Sequence, residues 1–227
     1  PVQLDFWDSH LGAQGSSLLH RRSLAIRALD RIAAARHSEL TGDERLHLGY
    51  LPSPDPAALA HESPRQADAA RKLRLAEGRP AYEAVTREAI RAGFLAQLRV
   101  GRPREIAAGA CLVGPHRDDM AFTVDGHDLR AFGSRGQQRT AALALKLAEL
   151  QMMHEETGDS PLLLLDDVMS ELDAARRQAI LAALASVEQA IVTTTDWGDF
   201  SAELLGQART LRVEQGNRRE DKQACRS

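Results

Sequence analysis

The first forty residues carry apolar side chains at helical spacing. Between Asp5 and Leu40 they recur about every three or four positions, which predicts one long amphipathic helix. Gly12 and Gly15 are possible interruptions of it, and Thr41-Gly42-Asp43 is expected to end it. The apolar positions are Trp7, Leu11, Leu18, Leu19, Leu24, Ile26, Leu29, Ile32 and Leu40.

A short strand and two further helices are predicted next. Leu46 to Leu51 alternates like a strand and stops at the proline-rich loop 52–56. Ser63-Pro64 is typical of a helix start, and Gly78-Arg79-Pro80 separates that helix from a second one that ends near Val100. Gly101-Arg102-Pro103 then indicates a boundary.

The middle of the chain alternates between strand and helix patterns. Ile106 to Val113 and Met120 to Val124 are predicted strands. Asp125-Gly126 is a hairpin signal that joins the second strand to another over His127 to Arg130. A helix is predicted from about Gln137 to His154.

The last third has the pattern of an α/β protein. Leu162 to Leu165 predicts a parallel strand buried on both faces, and a helix over 174–187 leads to a second strand over 190–195. From Gly216 the chain turns polar, and we expect a disordered tail.

Composition favours a cytoplasmic globular protein. The chain has 227 residues, of which 43% are hydrophobic, enough for a sizeable core. No apolar run has the length of a membrane span, and no signal-peptide pattern opens the sequence. The two cysteines, Cys111 and Cys225, are far apart, so a reducing compartment is expected.

Charge is unevenly distributed although the net charge is only −3. Residues 1–105 are the more basic part, and nearly all of their positive charges are arginines, which suit phosphate contacts. In the first helix Arg21, Arg22, Arg27 and Arg31 are candidates for following a DNA backbone. The alternative is an ordinary solvated helix face.

Two adjacent acids, Asp166 and Asp167, directly follow the leucine strand. The carboxyl edge of an open α/β sheet is where ligands bind. The first acid suits an Mg²⁺ site, directly or through water, and the second is placed to orient an attacking water. A helix N-cap or a solvated turn is the structural alternative.

The stretch Gly133-Ser134-Arg135-Gly136-Gln137-Gln138-Arg139-Thr140 opens the predicted helix. A helix N-terminus offers backbone N–H groups and the positive end of the helix dipole, which together favour an anion. Gly136 allows close approach of a phosphate, and the Ser134 hydroxyl is placed either to cap the helix or to contact the same anion. Further upstream, Gly114-Pro115-His116-Arg117-Asp118-Asp119 is either a ligand- or lobe-contacting loop or a polar turn with internal ion pairs.

The stretch Gly133 to Thr140 resembles the signature motif of ABC-type ATPases in the form used by the RecF family. Leu162 to Asp173, which ends in Ser170-Glu171-Leu172-Asp173, resembles the family's Walker B strand and D-loop, and Gly114 to Asp119 resembles another hallmark of the family. The resemblance runs from Trp7 to about Val213 and implies an α/β ABC-type ATPase head with a mainly helical arm. It implies ATP and Mg²⁺ as cofactors, with Ser134, Arg135, Gly136, Gln137 and Asp173 at the nucleotide, Asp166 at the metal and Asp167 as the hydrolytic carboxylate. The signature would meet ATP held by a second subunit.

One departure is the lack of any G-x-x-x-x-G-K-[ST] sequence. We therefore expect a C-terminal piece of a longer protein that does not hydrolyse ATP well by itself. Its expected domains are a helical arm over 1–105, the C-terminal part of the head over 106–215 and a polar tail over 216–227.

The resemblance implies a role in recombinational repair. The family forms an ATP-dependent homodimer, binds DNA gaps and junctions, and works with RecR and RecO to load RecA. No switch histidine follows the strand 190–195, so Thr194, Thr195 or Asp196 is expected to sense the γ-phosphate. An ABC transporter subunit and a non-catalytic DNA-binding scaffold are the alternatives.

Overall fold

The computed structural model describes residues 2–54, 85–167, 169, 174–185 and 187–220. The chain divides into two compact units, Pro1–Met152 and Met153–Ser227. The predicted helix that begins at Ser63-Pro64, and the break at Gly78 to Pro80, lie outside the described residues.

The elements follow one another in mixed α/β order, as the sequence predicts. The helices are α1 (Val2–Thr41), α2 (Arg87–Ala108), α3 (Leu129–Phe132), α4 (Arg135–Thr157), α5 (Ala174–Ala185) and α6 (Ala202–Gln207). The strands are β1 (Leu46–Leu51), β2 (Asp119–Val124), β3 (His127–Asp128), β4 (Leu163–Leu165), β5 (Ala190–Val192), β6 (Leu211–Glu214) and β7 (Asn217–Glu220). Single 3₁₀ turns occupy Pro115–Arg117 and Trp197–Asp199.

The long helix α1 is confirmed, and Gly12 and Gly15 do not interrupt it. At both positions a side chain of α2 lies against the backbone of α1. A Cβ at Gly15 would lie 2.6 Å from Phe94 Cε1, and one at Gly12 would lie 2.8 Å from Leu95 Cδ2. Phe94 itself is fully buried. The two glycines therefore give up some helix propensity so that Phe94 and Leu95 can pack against the backbone.

Helix α2 continues eight residues beyond its predicted end at Val100, so the expected break at Gly101 to Pro103 is wrong. Within that stretch the Arg102 guanidinium donates to the carboxylates of Asp5 and Asp8 on α1, which holds this turn of the helix in place. Gly109, at φ +61°, ends the helix.

The strand expected over Ile106 to Val113 is also wrong. Ile106 to Ala108 belong to α2, and the chain then folds back on the helix. The Glu105 carboxylate accepts from the backbone N–H of Leu112 at 2.7 Å and of Val113 at 3.2 Å. These amides are thus bonded to a side chain and not to a neighbouring strand.

The antiparallel sheet β1-β2-β3 packs against α1. Leu46 pairs with Val124 and Leu51 with Asp119, and the predicted Asp125-Gly126 hairpin turn is confirmed. The strand after the turn is shorter than expected because the Asp128 carboxylate caps α3, accepting from two of its N–H groups. The domain division at residue 105 stays a prediction, and β1 and β2 come from either side of it.

Helix α1 also bonds to the free edge of β1. The Leu48 N–H donates to Asp30 Oδ1 at 2.7 Å. Burial raises the pKa of the Asp30 carboxyl above its ordinary value, against the opposing effects of this hydrogen bond and of His47. Among the described strands β1 pairs only with β2, and this bond supplies an acceptor to an amide of β1.

In the second unit β4 and β5 are parallel, with Leu163 opposite Ala190 and Leu165 opposite Val192. The expectation of a strand buried on both faces is wrong for this chain. Leu163 and Leu165 are buried, whereas Leu164 is 65% exposed and Ile191 on the neighbouring strand is 54% exposed. One face of this small sheet carries the unit's core and the other carries exposed apolar side chains.

The expected disordered tail is wrong for its first part. Residues 217–220 form β7, which pairs with β6 across a turn at Gln215 and Gly216, both at positive φ. Residues 221–227 lie outside the described part.

A buried carboxylate connects α1, β1 and the turn before β2. The Asp118 side chain is 6% exposed. Its Oδ2 accepts from Arg22 Nη1 at 2.6 Å and from the Tyr50 hydroxyl at 2.5 Å, and its Oδ1 accepts from the Ser53 N–H at 3.0 Å. Arg22 Nη1 also donates to the Pro115 carbonyl at 2.6 Å. Asp118 is therefore paired and hydrogen-bonded, as a buried charge must be.

We expect Asp118→Ala to lower the free energy of unfolding by about 2 to 3 kcal/mol, because it removes the acceptor shared by Arg22, the Tyr50 hydroxyl and the Ser53 amide. Asp119→Ala is the matched control, since Asp119 is exposed and lies 3.7 Å from an exposed Arg130. It should cost less than about 1 kcal/mol. Urea unfolding measures both, with hydrogen exchange of the β1 amides reporting on this unit. Equal losses would show that Asp118 is not central to the fold.

Candidate functional site

The acidic pair lies where the sequence predicts, directly after β4. Asp166 and Asp167 are both exposed. Asp167 has φ +46°, a left-handed conformation that few residues other than glycine, asparagine and aspartate adopt readily. Two residues after Asp167, the side chain of Met169 is buried, with 1% exposed. The two carboxylates are thus displayed on a tight turn at the carboxyl end of a parallel strand.

A threonine from the neighbouring strand reaches both acids. The Thr193 hydroxyl donates to Asp166 Oδ1 at 2.5 Å and accepts from the Asp167 N–H at 3.1 Å. Thr193 is not among the residues that the sequence predicts for the site. The signal that was available is the parallel pairing of the two strands, which places the residue after β5 beside the residue after β4.

Two of the three residues expected to replace a switch histidine are engaged in the turn that follows β5. The Thr194 hydroxyl donates to the Asp196 carbonyl at 2.9 Å and to Asp199 Oδ2 at 3.3 Å. Asp196 Oδ1 accepts from the Gly198 N–H at 2.9 Å. Thr195 is exposed, and within the part of the chain that the structure describes its side chain makes no hydrogen bond. Thr195 is therefore the member of the three that is available to a ligand.

The described residues contain no group of three or more His, Cys, Asp or Glu side chains that would hold a metal ion. Mg²⁺ does not need such a cage, since it is commonly bound by one or two carboxylates together with water and substrate phosphates. Asp166 fits that kind of site, because it is an exposed carboxylate with one oxygen already oriented by Thr193. Asp173, predicted at the nucleotide, lies outside the described residues.

The signature stretch lies at the start of α4, as predicted. The Ser134 hydroxyl accepts from the Gln137 N–H at 3.2 Å, and Gln137 Oε1 accepts in return from the Ser134 N–H at 3.1 Å. This reciprocal capping box satisfies one orphan amide at each end of the pair. The N–H groups of Arg135 and Gly136 belong to the first helical turn, which has no acceptors within the helix. Ser134 is thus a cap, and the helix start remains an anion-favouring terminus.

Glu44 holds the other end of the Gln137 side chain. Gln137 Nε2 donates to Glu44 Oε1 at 3.1 Å. Glu44 follows α1, and its carbonyl accepts from Nδ1 of the buried His37 at 3.2 Å. The side chain of the signature glutamine is therefore fixed between its own helix and the end of α1. Nothing in the sequence around Glu44 distinguishes it from an ordinary turn residue.

The bend before α4 requires a glycine. A Cβ at Gly133 would lie 2.5 Å from the Leu129 carbonyl oxygen, so any side chain there would move the backbone. Nε2 of the Gln138 side chain donates to the same carbonyl at 3.1 Å. Ser134 and Arg135 are exposed at this bend, and Gly136 is half-buried.

The motif Gly114 to Asp119 is mainly a structural turn. His116 Nε2 donates to the Cys111 carbonyl at 3.1 Å, and the Arg117 guanidinium donates to the same oxygen. Asp118 is the buried carboxylate described above. These contacts fit the second of the two alternatives drawn from the sequence, a polar turn. The ion pairs are not internal to the motif as expected, because Asp118 pairs with Arg22 and Asp119 with Arg130.

The four candidate DNA-binding arginines differ in their surroundings. Arg22 is paired with Asp118, which raises the pKa of its guanidinium. Arg21, Arg27 and Arg31 are exposed and make no ion pair or hydrogen bond within the described ranges. Three of the four arginines are therefore available to an external anion.

The chain is similar to RecF proteins. It is 41% identical over 218 residues to the DNA replication and repair protein RecF of Synechococcus sp. (strain JA-3-3Ab), covering 94% of this chain and 50% of the relative. The RecF of Chloroflexus aurantiacus is 42% identical over 217 residues, covering 95% and 49%. The chain thus spans about half the length of these relatives, and the matches fall on their C-terminal halves. No protein-family model matches the chain.

Two solved structures share the fold. The recombination mediator protein RecF-ATPrS of the RecFOR pathway superposes with a TM-score of 0.69 at 28% identity, over 96% of this chain and 50% of that one. RecF-ATP of the same pathway gives a TM-score of 0.63 at 31% identity, over 85% and 46%. No helix among the described residues has the length and hydropathy to cross a membrane.

The order of elements, the parallel strand that ends in two acids and the capped signature helix are consistent with part of an α/β ABC-type head. Over the residues compared, the chain is similar to the C-terminal half of RecF proteins.

Proposed function

We propose that this chain is the signature and Walker B half of a DNA-repair ATPase that binds ATP with Mg²⁺ and dimerises around it. The observation that carries the proposal is the acidic pair, displayed on a fixed turn at the end of a parallel strand in a chain that matches RecF over 94% of its length. Catalytic carboxylates of nucleotide hydrolases need this kind of placement, close to solvent and rigid.

The two acids take different roles. Asp166, with one oxygen fixed by Thr193, would hold the cation, which when bound neutralises phosphate charge. Asp167 has a positive φ, which sends its side chain from the turn in its own direction, and its carboxylate orients the attacking water. Thr195 takes the position of the switch residue, because Thr194 and Asp196 are engaged in their own turn.

The signature helix acts on a nucleotide held by a second subunit of the complete protein. The exposed N-terminus of α4, with Ser134 and Gly136, favours a phosphate, while the chain itself contains no P-loop sequence to hold one. Arg135 adds positive charge at the same exposed bend. Asp173 would complete the contact across the dimer.

The partners proposed are DNA gaps and junctions, RecR and RecO, with RecA loading as the outcome. The three available arginines of α1 would contact DNA phosphates, and Arg22 would support them by fixing the helix against Asp118. The place of action is the cytoplasm. The complete protein would be an ATPase, and this chain by itself would hydrolyse ATP poorly.

Substituting each acid by asparagine tests the division of roles in the full-length gene product. Asp167→Asn should keep ATP affinity and accumulate ATP-bound dimer, because asparagine tolerates a positive φ but cannot activate water. Asp166→Asn keeps an oxygen for Thr193 yet loses the charge, so it should weaken Mg·ATP binding by about tenfold or more. Nucleotide titration and sedimentation measure the two effects. Equal loss of nucleotide affinity in both variants would contradict the assignment.

Removing the positive charges of α1 tests the DNA proposal. The triple variant Arg21→Gln, Arg27→Gln, Arg31→Gln should weaken binding to all DNA sequences alike. Its plot of log affinity against log salt should lose about one slope unit for each phosphate contact removed.

The matched control carries the same change in net charge on the neighbouring helix. Arg91→Gln, Arg99→Gln, Arg104→Gln replaces three exposed arginines of α2. If the α1 variant keeps the wild-type salt slope, or if both variants lower it equally, α1 is not the DNA contact.

A further inference from the structure

Thr193 stands at the junction of the two parallel strands. It is the first residue after β5, and its N–H donates at 2.9 Å to the carbonyl of Leu165, the last residue of β4. The pairing of the two strands thus places the Thr193 side chain at the start of the turn that carries the two acids. This placement follows from register, since parallel strands end side by side.

The hydroxyl of Thr193 is used in both directions. Its proton goes to Asp166 Oδ1 at 2.5 Å, and its lone pair accepts the Asp167 N–H at 3.1 Å. One bond fixes a side chain and the other fixes a backbone. Both belong to residues for which the proposed function requires a defined orientation.

The backbone bond lies at a strained position. Asp167 has φ +46°, and the left-handed region costs a non-glycine residue about 1 kcal/mol. A hydrogen bond to the amide of that same residue helps the turn to persist without glycine. The bond to the Asp166 carboxylate is not needed for stability in the same way, because Asp166 is exposed and its carboxylate would otherwise be hydrogen-bonded to water. Orientation is what the bond to Asp166 adds.

We propose that Thr193 is the positioning residue of the acidic pair, with its hydroxyl aiming the Asp166 carboxylate at a divalent cation and holding the turn that presents Asp167. The inference rests on the proposed function, since it assigns a cation to Asp166. It differs from that proposal in naming a residue that touches neither the nucleotide nor the water. The run Thr193-Thr194-Thr195 then divides into three roles, namely a clamp on the acids, a turn-former and an exposed residue.

The test compares Thr193→Val, Thr193→Ser and Thr157→Val in the full-length gene product. Valine keeps the branched shape without the hydroxyl, and serine keeps the hydroxyl without the branch. Thr157→Val is the matched control, since it removes the hydroxyl of an exposed threonine outside the proposed site. The readout is the Mg²⁺ concentration that half-saturates ATP binding, followed with a fluorescent ATP analogue, together with the thermal midpoint of each variant without nucleotide.

Thr193→Val should raise the half-saturating Mg²⁺ concentration by about tenfold or more, the usual effect of removing a partner that orients a ligand. Thr193→Ser and Thr157→Val should stay within about twofold of wild type. A purely structural role would lower the thermal midpoint of Thr193→Val without moving its Mg²⁺ dependence, and that result would overturn the inference. So would a serine variant as impaired as the valine variant, since the branch and not the hydroxyl would then matter.

Measurements on the wild-type protein distinguish a failure of this inference from a failure of the proposed function. If its ATP binding does not depend on Mg²⁺, the proposed function fails and the inference fails with it. If wild type responds to Mg²⁺ and Thr193→Val responds identically, only the role of Thr193 is overturned.

Discussion

Asp118 brings one carboxylate, 6% exposed, to the point where α1, β1 and the turn Pro115–Arg117 meet, and three donors converge on it. A charge that is nearly buried must be fully paired, so the side chains of Arg22 and Tyr50 are committed to it. That constraint fixes the angle of α1 against the sheet. It also determines which arginines of α1 remain for an external anion, because Arg22 is used internally.

The signature stretch and the acidic pair differ from the buried Asp118 in how their side chains are held. At the signature, Ser134 and Gln137 cap each other on an exposed helix start, and Glu44 fixes the far end of the glutamine. At the acidic pair, the Thr193 hydroxyl fixes two exposed residues. Exposed polar bonds contribute little to stability, so their value lies in holding groups in place. The fold is therefore stabilised at Asp118, and the candidate chemistry is displayed on rigid turns elsewhere.

Periodicity and turn chemistry were sufficient for α1, for the Asp125-Gly126 hairpin and for the signature helix, because each is a local signal. These local signals failed where contacts between residues distant in sequence determine the structure. Gly101 and Pro103 stay helical in a stretch tied to α1 through Arg102, and Leu112 and Val113 bond to Glu105 where a strand was expected. The roles of Thr193 and Glu44 depend on residues 27 and 93 positions away, which no local pattern reveals.

If the signature acts on ATP held by a second subunit, Ser134→Asp in the full-length gene product should block dimerisation. The new carboxylate can still cap Gln137, but it places negative charge where a γ-phosphate would bind. Ser201→Asp makes the same change at the cap of α6 and is the control. In sedimentation of the full-length proteins with ATP, wild type and Ser201→Asp should form dimers, whereas Ser134→Asp should bind ATP and stay monomeric. ATP-dependent dimerisation of Ser134→Asp at the wild-type level would show that the signature does not act on the partner's ATP.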